Sequence, residues 1–113
     1  MKKFDQIIKD LSNQIYYPIY FLAGEEPYYI DEIAKYIADH TLTESEREFN
    51  QTVLYGRETN MDAVLTEAKR FPMMANFQVV IVKEAQHLKN LEALDDYMKS
   101  PQKSTVLVIC YKY

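Results

Sequence analysis

Apolar side chains recur along the chain at two different spacings. Phe4, Ile7, Ile8, Leu11 and Ile15 fall three and four apart, which lines one face of a helix. Pro18 interrupts that pattern, and Ile19 to Ala23 is a short continuous apolar run of the kind a buried strand needs. Gly24 turns the chain, Pro27 suits the first turn of a second helix, and Ile30, Ile33, Ala34 and Ile37 give that helix a buried face. A polar connection from Thr41 to Glu48 leads to a strand over Phe49 to Tyr55, whose imperfect alternation fits a sheet edge. Gly56 to Asn60 reads as a turn, with Asn60 capping a helix that carries Met61, Val64, Leu65 and Ala68. Pro72 disfavours helical geometry at Phe71 and ends that helix near it. Gln78 to Val82, dominated by β-branched residues, is the most strand-like stretch. A last helix presents Leu88, Leu91, Leu94 and Met98 until Ser100-Pro101 breaks it, and Thr105 to Cys110 is again a strand.

Strands that alternate with helices of about ten residues build parallel βαβ units with helices on both faces. The pattern therefore predicts a three-layer α/β domain with a mostly parallel sheet, preceded by one extra helix. A chain of 113 residues suffices for one such domain. The last strand reads as an interior one, yet the sequence stops three residues after Cys110. A covering helix ordinarily follows a parallel strand, so the expectation is a piece of a longer protein.

Composition narrows the partners. Seventeen acids outnumber thirteen Lys and Arg, giving a net charge of −4, and the basic residues are scattered along the chain. No stripe suited to tracking phosphates emerges, so DNA is expected to be reached only through other proteins. Ten tyrosines offer stacking surfaces, but such platforms normally sit in a basic groove, and these are read instead as half-buried sheet and helix residues. The longest apolar runs are far below the roughly 20 residues that span a bilayer, so no membrane association is expected. Met1-Lys2-Lys3 runs into a mixed segment and not an apolar one, so no secretory leader is expected. A single cysteine, Cys110, excludes an internal disulfide and fits a reducing, cytoplasmic setting.

Doubly wound sheets bind ligands at the carboxyl ends of their strands, and two such places carry candidate chemistry. The first is Ala23-Gly24-Glu25-Glu26-Pro27, a strand, a glycine turn and a helix start. A working phosphate loop reads GxxxxGK[ST]: backbone N–H groups cradle phosphates, Lys reaches them and the hydroxyl holds magnesium. Here the second glycine, the lysine and the hydroxyl are missing, and Glu25 and Glu26 stand where phosphate oxygens would lie. As first-turn acids these carboxylates would stabilise the helix dipole by about 0.3–1 kcal/mol each; a recognition role for them stays open. The second place is the end of the Gln78 strand, where such ATPases carry Asp-Glu for magnesium and the attacking water. Lys83 occupies the first position and only Glu84 remains. The two places form a degenerate nucleotide site, and no cofactor is expected. His40 and His87 lie on separate elements without metal-ligand neighbours, and Cys110 sits inside an apolar strand.

One connection is unlike the others. Arg70-Phe71-Pro72-Met73-Met74-Ala75-Asn76-Phe77 joins a helix to a strand, and surface connections are normally polar. Either its apolar residues fold back under the sheet, or they form a protein-binding plug. Proline would lower the ordering cost of such a plug, and methionine suits an irregular pocket on a partner.

Three segments then carry a family resemblance. Pro18-Ile19-Tyr20-Phe21-Leu22-Ala23-Gly24-Glu25-Glu26-Pro27-Tyr28 resembles the opening strand and turn of the bacterial DNA polymerase III delta subunit. Phe71-Pro72-Met73-Met74-Ala75-Asn76-Phe77 with the strand to Val82 is similar to that family's apolar loop and strand, and Ser100 to Ile109 is similar to its next strand. The resemblance implies a P-loop/AAA+-like fold lacking a functional P-loop, with residues 1–113 as the N-terminal domain of a three-domain, non-catalytic clamp-loader subunit. Partners follow from it: the sliding clamp (beta subunit), ATP-binding gamma/tau-type subunits and delta-prime. Carried over by position, the clamp-binding residues would be Phe71, Pro72, Met73 and Met74, with Met-Met where some relatives have Leu-Phe. Two alternatives stay open: a divergent P-loop-like ATPase using Glu84, and a delta-prime-like structural subunit.

Overall fold

The strands at the middle of the sheet come last in the chain. In the computed structural model, which describes residues 4–113, β1 (Ile19–Gly24), β2 (Gln51–Tyr55), β3 (Gln78–Lys83) and β4 (Thr105–Lys112) form one parallel sheet in the order β1-β4-β3-β2. Met1-Lys2-Lys3, read above against a leader, lie outside the described residues. β3 and β4 hold the interior positions because they alone are apolar on both faces, with every residue from Thr105 to Cys110 buried. β1 and β2 mix exposed with covered positions and take the edges, as the imperfect alternation of β2 suggested.

Alternation along β3 and β4 feeds two separate cores. Val79, Ile81, Val106, Val108 and Cys110 face α1 (Phe4–Ser12) and α2 (Pro27–His40), meeting Leu11, Ile30, Ile33, Ala34 and Ile37. Val80, Val82, Leu107 and Ile109 face α4 (Met61–Ala68) and α5 (Leu94–Lys99), meeting Met61, Val64, Leu65, Leu94 and Tyr97. Helix, sheet and helix make the three expected layers, and the fold class read from the periodicity holds.

Local structure departs from the sequence reading in three places. The polar connection contains a helix, α3 (Glu44–Asn50), opened by a capping box: the Thr43 hydroxyl accepts from Glu46 N–H while Glu46 accepts from Thr43 N–H. Phe49 and Asn50 are therefore helical, and the strand begins at Gln51. The last helix is broken into short 3-10 turns, Ala85–His87 and Leu91–Ala93, before α5, because Glu84 and Asn90 take left-handed backbone conformations. Tyr97 then packs inward where Met98 was expected, and Met98 is exposed. Ile15 also lies beyond the end of α1 and is exposed.

Two consequences can be measured. The Glu84 carbonyl lies so close over Gly56 that a Cβ there would meet it at 2.0 Å. Gly56→Ala is expected to cost about 2–3 kcal/mol or more, because only backbone movement relieves the clash; urea unfolding at unchanged slope reads it. Burial pushes the Cys110 thiol from 9.0 up to about 11, with nearby Asp31 adding to the rise. The unfolded chain gives up this proton first, so the contribution is intact below pH 9 and is lost as pH rises through about 11. Urea midpoints across that window are expected to fall less steeply for Cys110→Val than for the wild type.

Candidate functional site

Sheet polarity separates the candidate residues into two groups. Gly24, Glu25 and Glu26 follow the carboxyl end of β1, and Lys83 and Glu84 close β3, with β4 between them. Phe71, Pro72, Met73 and Met74 lead into the amino end of β3, about 20 Å away along the strand. The structure thus places Gly24, Glu25, Glu26, Lys83 and Glu84 at one end of the sheet and the apolar loop at the other.

At the carboxyl end, the turn from Gly24 to Pro27 leaves room for only Glu25 and Glu26. Glu26 is the N-cap of α2, and its carboxylate accepts from Tyr28 N–H at 3.2 Å. It therefore precedes the first turn in which it was expected, and Glu25 lies further outside. Pro27 at the start of the helix has no N–H, so of the donors that an anion cradle would use there one is missing and that of Tyr28 is taken by Glu26. Groups that sequence reading did not single out fill the adjacent space. Gln86 Oε1 accepts from Lys112 N–H at 3.1 Å, Tyr113 N–H donates to the Gly24 carbonyl at 3.1 Å, and Lys112 Nζ pairs with Asp31 at 2.8 Å. Lys83 and Glu84 are exposed, and Glu84 is in the left-handed region at φ 55°.

Neither histidine joins this site. His40 lies against the Tyr36 ring at the end of α2, and His87 Nε2 accepts from Arg57 Nη2 at 3.0 Å. Among the described residues no group of three His, Cys, Asp or Glu side chains gathers as metal ligands would, and no helix is long and apolar enough to cross a membrane.

At the amino end most apolar side chains of the loop do not fold back under the sheet. Phe71 is 80% exposed, Met73 56% and Met74 97%. Only Phe77 turns inward, packing on the first core with its ring 5.3 Å from that of Tyr16. The exposed side chains ride on a braced backbone. The Arg70 carbonyl accepts from Gln78 Nε2 at 2.7 Å and from Gln102 Nε2 at 2.8 Å. Asn50 accepts from Met73 N–H at 2.6 Å and donates to the Met73 carbonyl at 2.9 Å. Pro72 restricts the chain between those two anchors, and Met74 follows in the left-handed region at φ 57°. Burying each exposed side chain on a partner would be worth roughly 1.5–3 kcal/mol. This arrangement suits a preformed apolar contact better than any catalytic step.

The bracing rests on Gln78, whose side chain is buried at the first residue of β3. Its Nε2 lies within hydrogen-bond distance of the Glu67, Ala68 and Arg70 carbonyls and of Thr105 Oγ1, which itself donates to the Ala68 carbonyl at 2.6 Å. One amide and one hydroxyl therefore meet carbonyls at and beyond the end of α4: Ala68 takes both of them, while Glu67 also accepts from Arg70 N–H at 3.2 Å.

Comparison with known proteins agrees across the chain. A family model described as "DNA polymerase III, delta subunit" matches residues 20–112. "DNA polymerase III subunit delta" of Bacillus subtilis (strain 168) is 30% identical over 115 residues, covering 93% of this chain and 33% of that protein. The solved structure of the Bacillus subtilis DNA clamp loader delta protein superposes with a TM-score of 0.84 at 28% identity, over 98% of this chain and 36% of that one. A gamma-subunit-related protein of DNA polymerase III from Thermotoga maritima matches at TM-score 0.58 and 16% identity, over 98% of this chain and 40% of its own, which shows likeness of fold alone. The chain spans about a third of the length of the delta relatives it matches.

Gln78→Glu keeps the shape of the side chain but replaces its donor by an acceptor facing three carbonyls. It is expected to destabilise the fold by about 2–4 kcal/mol, whereas Gln102→Glu, on the surface side of the same carbonyl, is expected to cost well under half of that. Chemical unfolding of the two variants checks the ranking.

Proposed function

This chain belongs to the DNA polymerase III delta-subunit family, and from that premise we propose that it grips the sliding clamp (the beta subunit) and helps to open it. The observation that carries the proposal is the loop: Phe71, Met73 and Met74 are exposed around Pro72 on a backbone held at both ends. A soluble fold gains nothing by itself from presenting these side chains to water, and a hydrophobic pocket on a partner would make use of all of them. Because the loop is already ordered, binding would lose little conformational freedom.

Opening then follows from linkage. A protein shifts a ring towards its open form only as far as it binds that form better than the closed one. The apolar plug anchors the domain, and neighbouring residues of α4 favour a clamp geometry incompatible with a closed interface. Residues 1–113 act as one AAA+-like, N-terminal domain of a longer cytoplasmic subunit, beside ATP-binding gamma/tau-type subunits and delta-prime, and meet DNA only through that assembly. The domain is a non-catalytic accessory part of a DNA-directed DNA polymerase. The carboxylate of Glu26 on the helix terminus and the cation of Lys83 where a magnesium ligand would stand both oppose a bound Mg-nucleotide.

Calorimetric titration with the sliding clamp of the same organism tests this reading. Wild type is expected to bind saturably, and Met73→Ala/Met74→Ala at least tenfold more weakly, a loss of about 1.4 kcal/mol or more, with unchanged circular dichroism. Tight binding indifferent to the substitution would move the site, and no binding would overturn the role for this domain. Titration with Mg-ATP is expected to give no binding; micromolar affinity would favour the divergent ATPase.

A further inference from the structure

The contact that fixes the loop comes from a residue far away in sequence. Asn50 ends α3, is 4% exposed, and lies 23 positions before Met73. Its Oδ1 accepts from Met73 N–H at 2.6 Å, while its Nδ2 donates to the Met73 carbonyl at 2.9 Å and to the Glu46 carbonyl at 3.0 Å. A side-chain amide that engages both the N–H and the C=O of one residue fixes the position and the rotation of its backbone, as a paired strand would. Both amide protons and the carbonyl of Asn50 are thereby committed.

The placement of this contact matters. Met74, the next residue, is 97% exposed and left-handed, a conformation that side-chain-bearing residues seldom adopt. Released at Met73, the backbone would leave it readily. On the other side Pro72 transmits the constraint to Phe71, whose own neighbour Arg70 is held through its carbonyl by Gln78 and Gln102. Asn50 therefore controls the exit direction of the exposed methionines without itself reaching the surface.

We infer that Asn50 is the positioning residue of the apolar loop, holding Met73 and Met74 in the conformation that enters the partner's pocket. This inference rests on the clamp-binding reading above. In its absence the loop must be ordered on binding, and that cost appears as a loss of affinity although no contacting side chain has changed.

The test uses Asn50→Ala, Asn50→Asp (which keeps the acceptor for Met73 N–H), Met74→Ala and the Asn50→Ala/Met74→Ala pair. Hydrogen exchange in the free chain reads the latch independently of any partner. The Met73 amide is expected to exchange at least tenfold faster in Asn50→Ala, with Val80 and Leu107 in the central strands unchanged, and Asn50→Asp is expected to lie between. Clamp affinity is expected to fall about five- to twentyfold in Asn50→Ala. The pair is expected to lose less than the product of the single losses, because both act through one loop. Fully multiplicative losses, or unchanged affinity despite a freed Met73 amide, would overturn the inference. Failure of both Asn50 variants to fold would do so too, by assigning Asn50 to the fold. Should the wild type not bind the clamp while Met73 exchange still responds to Asn50→Ala, the clamp reading fails and takes the positioning role with it, leaving the latch as a feature of the free loop.

Discussion

A buried amide and a buried hydroxyl at the head of the sheet hold the rest of the molecule in place. Gln78 and Thr105 are register partners on β3 and β4. Together they satisfy the carbonyls of Glu67, Ala68 and Arg70. The Ala68 carbonyl, bonded by both of these buried side chains, would cost about 1–3 kcal/mol if left unpaired. Their satisfaction sets the end of α4 against the two central strands, fixes the register of those strands, and gives the chain leaving α4 a single direction. The apolar loop begins where this knot ends, so its geometry is inherited from the core.

The same sheet keeps the two candidate regions apart. Parallel pairing puts every strand's carboxyl end on one side, where the nucleotide-like turn lies, and every amino end on the other, where the loop lies. The space at the carboxyl end is knitted together by Gln86, Asp31, Lys112 and Tyr113. Between the two ends, β3 from Gln78 to Val82 and β4 from Thr105 to Cys110 are buried on both faces and packed against helices. On the proposed function, movement that ATP drives in neighbouring subunits would shift this domain as a body, and the loop would arrive already shaped.

Much of this was legible in the sequence, and what was not has physical causes. The periodicity of Ile30, Ile33, Ala34 and Ile37, the β-branched run before Lys83 and the Asn60 cap all act locally, and each takes its predicted place. The Thr43/Glu46 capping box was also local and readable, but the polar character of the segment masked it, and with it the helical setting of Phe49 and Asn50. The region from Leu88 to Met98 keeps a helical spacing in sequence that left-handed Asn90 breaks in space, which is why Tyr97 and not Met98 reaches the core. For the loop, composition fixed its apolar character but not its direction; only the placement of Phe77 inward and Met74 outward does that. Asn50 had no signal at all, since its partner lies 23 residues on and is backbone.

Three large apolar side chains in water are a hazard as well as an asset. An exposed apolar segment running into a strand could extend that strand and recruit another chain edge to edge. Here the segment cannot extend β3. Pro72 supplies no N–H for a ladder, Met74 is left-handed, and both polar backbone groups of Met73 are already spent on Asn50. What Met73 leaves exposed is its side chain alone, which can fill a pocket but cannot add a strand. On the proposed function, the constraints that would prepare the loop for one apolar partner are the same ones that oppose β pairing at Met73, and a substitution that loosens it would be expected to weaken specificity along with affinity.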